Sequence, residues 1–119
     1  MAEIQKRKTY DLEVRTLNFA KCVNIYVNQL PKTVTNIEND KQLTRAAGSV
    51  GANYIEANES LSKKDFAMRI KICRKESKES RYWLELTEPT AGFDTKKRYL
   101  IDESVELTKI FGSIVEKTR

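Results

Sequence analysis

The chain has 119 residues, with 22 Lys and Arg against 17 Asp and Glu, a formal net charge of +5 and no histidine. That length suits one domain with a single core and is too short for two. The missing histidine removes the commonest general base and both His-dependent nucleophilic triads, and no stretch approaches the roughly 18 uncharged apolar residues of a membrane span.

The start carries Lys6, Arg7 and Lys8 and lacks the apolar run of a signal peptide. A basic tail over residues 1–9, a bundle domain over 10–118 and a cytoplasmic location are expected. Cys22 and Cys73 have no Cys-x-x-Cys spacing and read as unpaired thiols on apolar faces. Pro31 and Pro89 are the natural breaks, which leaves helical stretches of roughly 20 residues each and no strand-like alternation of any length.

The first predicted helix runs from about Tyr10 to Leu30, with Leu12, Thr16, Phe19, Val23, Tyr26 and Leu30 recurring at steps of four and three. Val14, Leu17 and Ile25 lie off that seam. The second begins between Asn36 and Asp40, where Thr35, Asn36, Asn39 and Asp40 all offer capping oxygens, and ends at Ser60 to Ser62. Its seam is Leu43, Ala47, Val50, Tyr54, Ala57 and Leu61. Gln42, Arg45, Ser49, Asn53 and Glu56 form a second, polar row on its far side, set among Ala46, Gly48, Gly51 and Ala52. A face bound for water usually carries long charged residues, so this row implies close approach by a second helix or subunit. It reads as a hydrogen-bonded network that fixes helix register.

Ser62-Lys-Lys-Asp65 resembles a capping box and opens the third helix, whose seam is Phe66, Ile70, Cys73, Ser77, Ser80 and Leu84, with Pro89 stopping it at Glu88. After residues 91–95 the fourth carries Leu100, Ser104, Leu107, Phe111 and Ile114 on one face, with Ile101, Val105 and Val115 beside it. Short connections between long helices predict an all-α, antiparallel up-down four-helix bundle.

Charge is sorted on the third helix. Lys64, Lys71, Arg74, Lys75, Lys78 and Arg81 fall on one flank, whereas Asp65, Glu76 and Glu79 fall on the other. From Lys63 to Arg81 there are eight basic and three acidic side chains, a local excess equal to that of the whole chain. Such a flank is either a solvated helix face or a field that phosphates feel, and the absence of zinc-finger spacing, a glycine-rich clamp or an RNP-like strand makes any nucleic-acid contact sequence-independent. Ile72, Glu76, Glu79, Trp83 and Leu86 on the other flank read as a subunit contact with paired charges, Arg45 being a partner for one carboxylate; ordinary core packing of Trp83 is the rival.

Glu56-x-x-Glu59 and Glu76-x-x-Glu79 are a carboxylate pattern seen in di-metal bundles, but the Glu-x-x-His pairs those sites use are missing. Gly48-Ser-Val-Gly51 lies mid-helix and is no phosphate loop. No cofactor, no metal and no catalytic residue are expected.

Gln42-Leu-x-Arg45-Ala-x-x-Ser49-Val-x-x-Asn53-x-x-Glu56, together with Ser62-Lys-Lys-Asp-Phe66 and Glu76-x-x-Glu79-Ser-Arg-Tyr-Trp83-Leu-x-Leu86, resembles the signature of the 23S rRNA intervening-sequence protein family. Glu76 stands where many members carry Ser, and Gly51 where many carry Pro. The resemblance implies a four-helix bundle assembling as a ring-like homopentamer without enzymatic activity. The chain is also distantly similar to accessory proteins of diversity-generating retroelements, which serve reverse transcriptases. Resemblance and local charge together predict a non-enzymatic binding or scaffold protein that contacts RNA or DNA backbone through its basic surface. The alternative is a protein-interaction module recruiting a reverse transcriptase or another enzyme.

Overall fold

The computed structural model describes residues 11–119, so the basic tail expected over 1–9 lies outside the described residues. It contains four helices, α1 (Leu12–Gln29), α2 (Val34–Asn58), α3 (Lys63–Leu86) and α4 (Asp94–Lys117), and no strand among the described residues. Each boundary has a local cause. The Asp11 carboxylate accepts the Val14 N–H at the start of α1, and Leu30 is extended ahead of Pro31, as a residue preceding proline prefers. The Ser62 hydroxyl accepts the Asp65 N–H and starts α3.

Two boundaries of α2 differ from the expectation. The helix begins at Val34, earlier than the Asn36 to Asp40 window, because the Thr33 hydroxyl accepts the Asn36 N–H and caps it. It also ends earlier, at Asn58, since Ser62 must leave the helix to cap α3. Leu61, assigned to the seam of α2, therefore sits in the turn and is 99 % exposed. Helix α3 likewise stops at Leu86, two residues short of Glu88.

The four seams otherwise meet in one core. Phe19, Val23, Tyr26, Leu43, Val50, Ile70, Leu84, Leu107 and Phe111 are all buried, with Tyr54, Phe66 and Trp83 packed against them. Buried hydroxyls lie among them, and each donates to a carbonyl of its own helix: Thr16 to Leu12, Ser77 to Cys73, Ser80 to Glu76 and Ser104 to Ile101. The four hydroxyls are thus satisfied inside their own helices, while the small side chains let neighbours approach closely. Helix α2 packs along α3 and α3 along α4, and of the helix pairs in contact α1 and α4 meet least. No described helix is long and apolar enough to cross a membrane.

One end of the molecule is held by polar side chains. The Asn36 amide is fully buried; it donates to the Pro31 and Glu88 carbonyls, each at 3.1 Å, and accepts the Glu88 N–H at 3.0 Å. Asn39 donates to the Leu86 carbonyl and Lys97 to those of Glu85 and Thr87, so the unsatisfied C-terminal carbonyls of α3 find donors on α2 and α4. The Tyr26 and Thr87 hydroxyls share a bond of 2.7 Å at the same end. Asp40 is less well served. Its Oδ1 is buried without a hydrogen-bond partner among the described residues, and burial raises its carboxyl above the ordinary range, only partly opposed by Lys32.

This packing makes the two mid-helix glycines unequal. A Cβ at Gly51 would lie 2.8 Å from the Thr16 hydroxyl and 3.2 Å from its Cβ, and Thr16 is buried and already bonded, whereas a Cβ at Gly48 meets nothing within 4 Å. Gly51→Ala is expected to destabilise the fold by about 1–3 kcal/mol, and Gly48→Ala to stabilise it by about 0.5–1 kcal/mol, in urea titrations. For Asp40, a raised carboxyl pKa means the stabilising form is the protonated one, fully present below the ordinary value and lost as pH rises through the folded-state value. Asp40→Asn should therefore raise the melting temperature near neutral pH, and its advantage should vanish below about pH 4.

Candidate functional site

Helix α3 positions the residues that carry chemistry. Its cap at Ser62, the Asp65 carboxylate in its first turn and the donors at its C-terminus hold both ends, while Ile70, Cys73, Ser77, Ser80 and Leu84 face the core. Rotation about its own axis is thereby set, and Lys64, Lys71, Lys75, Lys78 and Arg81 emerge exposed on the flank where the sequence places them. Arg74 is half-buried; its stem runs alongside Gly112 of α4, where a Cβ would stand 3.8 Å from the Arg74 Cδ.

Ion pairing divides this flank. Because α3 continues to Leu86, Glu85 joins the basic side and meets Arg81 at 3.0 Å, so the helix carries an excess of four basic groups rather than the five counted to Arg81. Lys75 approaches Glu79 at 4.0 Å. Lys64, Lys71 and Lys78, seven residues apart, make no ion pair among the described residues. Tyr82, absent from the sequence-based set, stands 59 % exposed on the same stripe. Its spacing of four from Lys78 and seven from Lys75 is the signal that could have found it.

The polar row of α2 is only partly brought together. Asn53 accepts a bond from Arg69 of α3 at 3.0 Å and donates to the Ser49 backbone carbonyl, and Arg45 meets Glu79 at 3.6 Å, so the partner expected for Arg45 lies within the protomer. Gln42 and Glu56 are exposed, and no hydrogen bond joins the side chains of Gln42, Arg45, Ser49, Asn53 and Glu56 to one another among the described residues. The row corrects the network expectation in that respect: Arg45 and Asn53 reach across to α3, and the bond within the row runs from the Asn53 side chain to the Ser49 backbone. The small residues between them also divide. Ala46 is buried and Gly51 faces Thr16 of α1, while Gly48 and Ala52 stay open.

On the opposite flank of α3, Glu76 and Trp83 sink into the protomer. Glu76 is 8 % exposed with Oε1 buried and unpartnered, and the Trp83 Nε1 is likewise buried without a partner among the described residues. Trp83 leans on the core and meets Tyr82 edge-on at 5.0 Å between centroids. Ile72 and Glu79 are half-buried and Leu86 is exposed, so the five residues form a graded surface rather than an open patch.

The thiols are separate from all of this. Cys73 is buried in the core, where desolvation pushes its thiol up to about 12, and Cys22 is half-buried on α1. No group of three His, Cys, Asp or Glu side chains that could hold a metal ion occurs among the described residues. Sequence reasoning misses Asn36, Asn39 and Lys97 as tertiary clamps, because their partners are backbone carbonyls far along the chain, which leave no mark on composition. It also misses the bidentate pair in which Arg15 donates to both Glu103 oxygens at 2.8 and 2.9 Å.

Residues 10–113 match the sequence model of the 23S rRNA-intervening sequence protein family. A crystal structure of a protein of unknown function from the S23 ribosomal protein family, from Bacteroides thetaiotaomicron VPI-5482, is similar at 32 % identity and a TM-score of 0.68, over 87 % of this chain and 96 % of that one. No curated protein shows significant similarity to the sequence.

Proposed function

Since the chain belongs to the 23S rRNA-intervening sequence protein family, we propose that it is a non-enzymatic cytoplasmic binding or scaffold protein whose antiparallel up-down bundle assembles as a homopentamer and contacts RNA or DNA backbone. The observation that carries the reading is the open basic flank of α3, where Lys64, Lys71 and Lys78 project without ion pairs among the described residues. Antiparallel order is supported by side chains that link the end of one helix to the start of another, Asn58 with Glu13, Asn39 with Leu86 and Lys96 with Gln29. Assembly is supported by the open small residues Gly48 and Ala52, and by the exposed Leu86 at the end of α3. Five copies of one basic flank would concentrate like charge, and an anionic partner offsets that repulsion.

A second reading, a module that recruits a reverse transcriptase or another enzyme, is favoured by one feature. The outward face of α1 shows Val14, Leu17 and Ile25 about half exposed, with Lys21 as its single charge and Asn18, Asn24 and Asn28 between.

The readings separate in salt. Binding of a labelled duplex is expected to weaken by about −0.9 log units per log unit of salt for each phosphate neutralised, and replacing Lys71 and Lys78 by Gln should flatten the slope by about two such increments. No binding to any nucleic acid at low salt would leave the protein-partner reading. For assembly, Trp83→Ala and the more exposed change Leu86→Glu are expected to lower the mass measured by light scattering. A pentamer of unchanged stability in both variants would remove these residues from the subunit contact, and a monomeric wild-type chain would overturn the ring.

A further inference from the structure

The basic flank of α3 ends on an aromatic ring. We propose that Lys71, Lys75, Lys78 and Tyr82 form a site for single-stranded nucleic acid, in which the lysines follow the phosphates and the Tyr82 ring stacks on an unpaired base. This rests on the nucleic-acid reading of the same flank and narrows it from any polyanion to a strand with exposed bases.

Spacing is the first argument. Residues four, three and four apart place the three ammonium groups and the ring along one stripe, separated by about 6, 4.5 and 6 Å of helix rise. A strand lying along the helix therefore meets a cation at each step and then a flat apolar surface. Exposure is the second. Tyr82 is 59 % exposed, whereas Tyr26 is buried and Tyr54 packs tilted against Phe111 at 5.8 Å; Tyr99 of α4 is also open, at 63 %, but Asp102 and Glu103 follow it one turn on, so it ends no basic stripe. An aromatic ring left in water beside lysines is unused apolar area, and base stacking is the interaction that covers such a face without requiring a particular sequence.

Charge balance around the ring is the third argument. Glu79 and Glu85 stand three residues to either side of Tyr82 and would repel a phosphate, but each is already engaged, Glu79 by Arg45 and Lys75 and Glu85 by Arg81. The ammonium groups of the site without an ion pair among the described residues are those of Lys71 and Lys78. Edge-on contact with Trp83 at 5.0 Å and 77° restrains the ring before anything binds, which reduces the ordering that binding requires. A duplex has its bases already stacked and gains nothing from the ring, so the ring discriminates between single and double strands.

The test uses a short labelled oligouridine and a duplex of the same length. Tyr82→Ala is expected to weaken oligouridine binding on the order of tenfold and duplex binding little, while Tyr82→Phe, which keeps the ring, binds as the original protein does. Lys71→Gln with Lys78→Gln should weaken both. Trp83 is the chain's one tryptophan, so its emission should change on saturation with oligouridine and respond less to duplex. Oligouridine binding unchanged in Tyr82→Ala, or an equal loss for both probes, overturns the stacking site while leaving backbone contact by the lysines intact. A changed mass for Tyr82→Ala in light scattering assigns the ring to the subunit contact and also overturns it. If the original protein binds neither probe at low salt, the nucleic-acid reading itself fails and this site with it.

Discussion

The buried amide of Asn36 joins the α1–α2 connection to the α3–α4 connection through three hydrogen bonds, two given and one received. A fully buried amide is stable only when its donors and acceptor are met, and an apolar replacement would strand the Glu88 N–H and two carbonyls at once. The two loops are therefore fixed to each other through one side chain. Lys97 and Asn39 add donors to the adjacent carbonyls at the end of α3, a helix with no basic residue of its own in the last turn. The C-terminus of α3 is thus anchored by its neighbours, and its rotational setting cannot drift without breaking those bonds.

What the anchor does at one end, the small seam does along the length. Cys73, Ser77 and Ser80 bring little bulk to the centre of α3, and their burial depends on close approach by the flanking helices. The same device recurs where Thr16 of α1 meets Gly51 of α2, at a distance that leaves no room for a methyl group. Close packing of this kind makes the interior intolerant of rotation, since turning α3 by one residue would carry Lys71 or Arg74 into space sized for a hydroxyl. The open face of α3 is consequently as well determined as its buried one.

Much of this is legible in the sequence, for a physical reason. Side chains at steps of three and four share a helix face whatever the tertiary context, so Thr16, Phe19 and Val23, or Ile70, Cys73 and Ser77, can be assigned to the core from spacing alone, and Arg45 can be matched to Glu79 by chemistry. Ends are less legible. Thr33 is hidden as the cap of α2 because four other capping residues come after it, and Leu61 falls on the seam by spacing because periodicity does not register where a helix must stop. Bonds from Asn36 to backbone atoms 52 residues away are out of reach, since a carbonyl has no sequence identity. The polar row of α2 suggests more than it delivers: shared spacing puts residues on one face, but whether they bond depends on what α3 offers opposite them, and only Arg45 and Asn53 find a side-chain partner there.

Rotation of about 100° per residue separates two surfaces on α3. Lys71 and Lys78 stand one step around from Ile72 and Glu79, so the basic stripe and the flank that leans toward α2 share a helix without sharing an edge. The acidic groups enforce that division. Glu79 is spent on Arg45 and Lys75, and Glu85 on Arg81, which leaves Lys64, Lys71 and Lys78 as the charges of the stripe with no ion-pair partner among the described residues. Surface ion pairs of this sort add little stability, about 0–1 kcal/mol each, so their consequence lies elsewhere. They silence the carboxylates nearest the stripe, and the positive field that remains points outward from a helix whose orientation the buried amide and the small seam have already fixed.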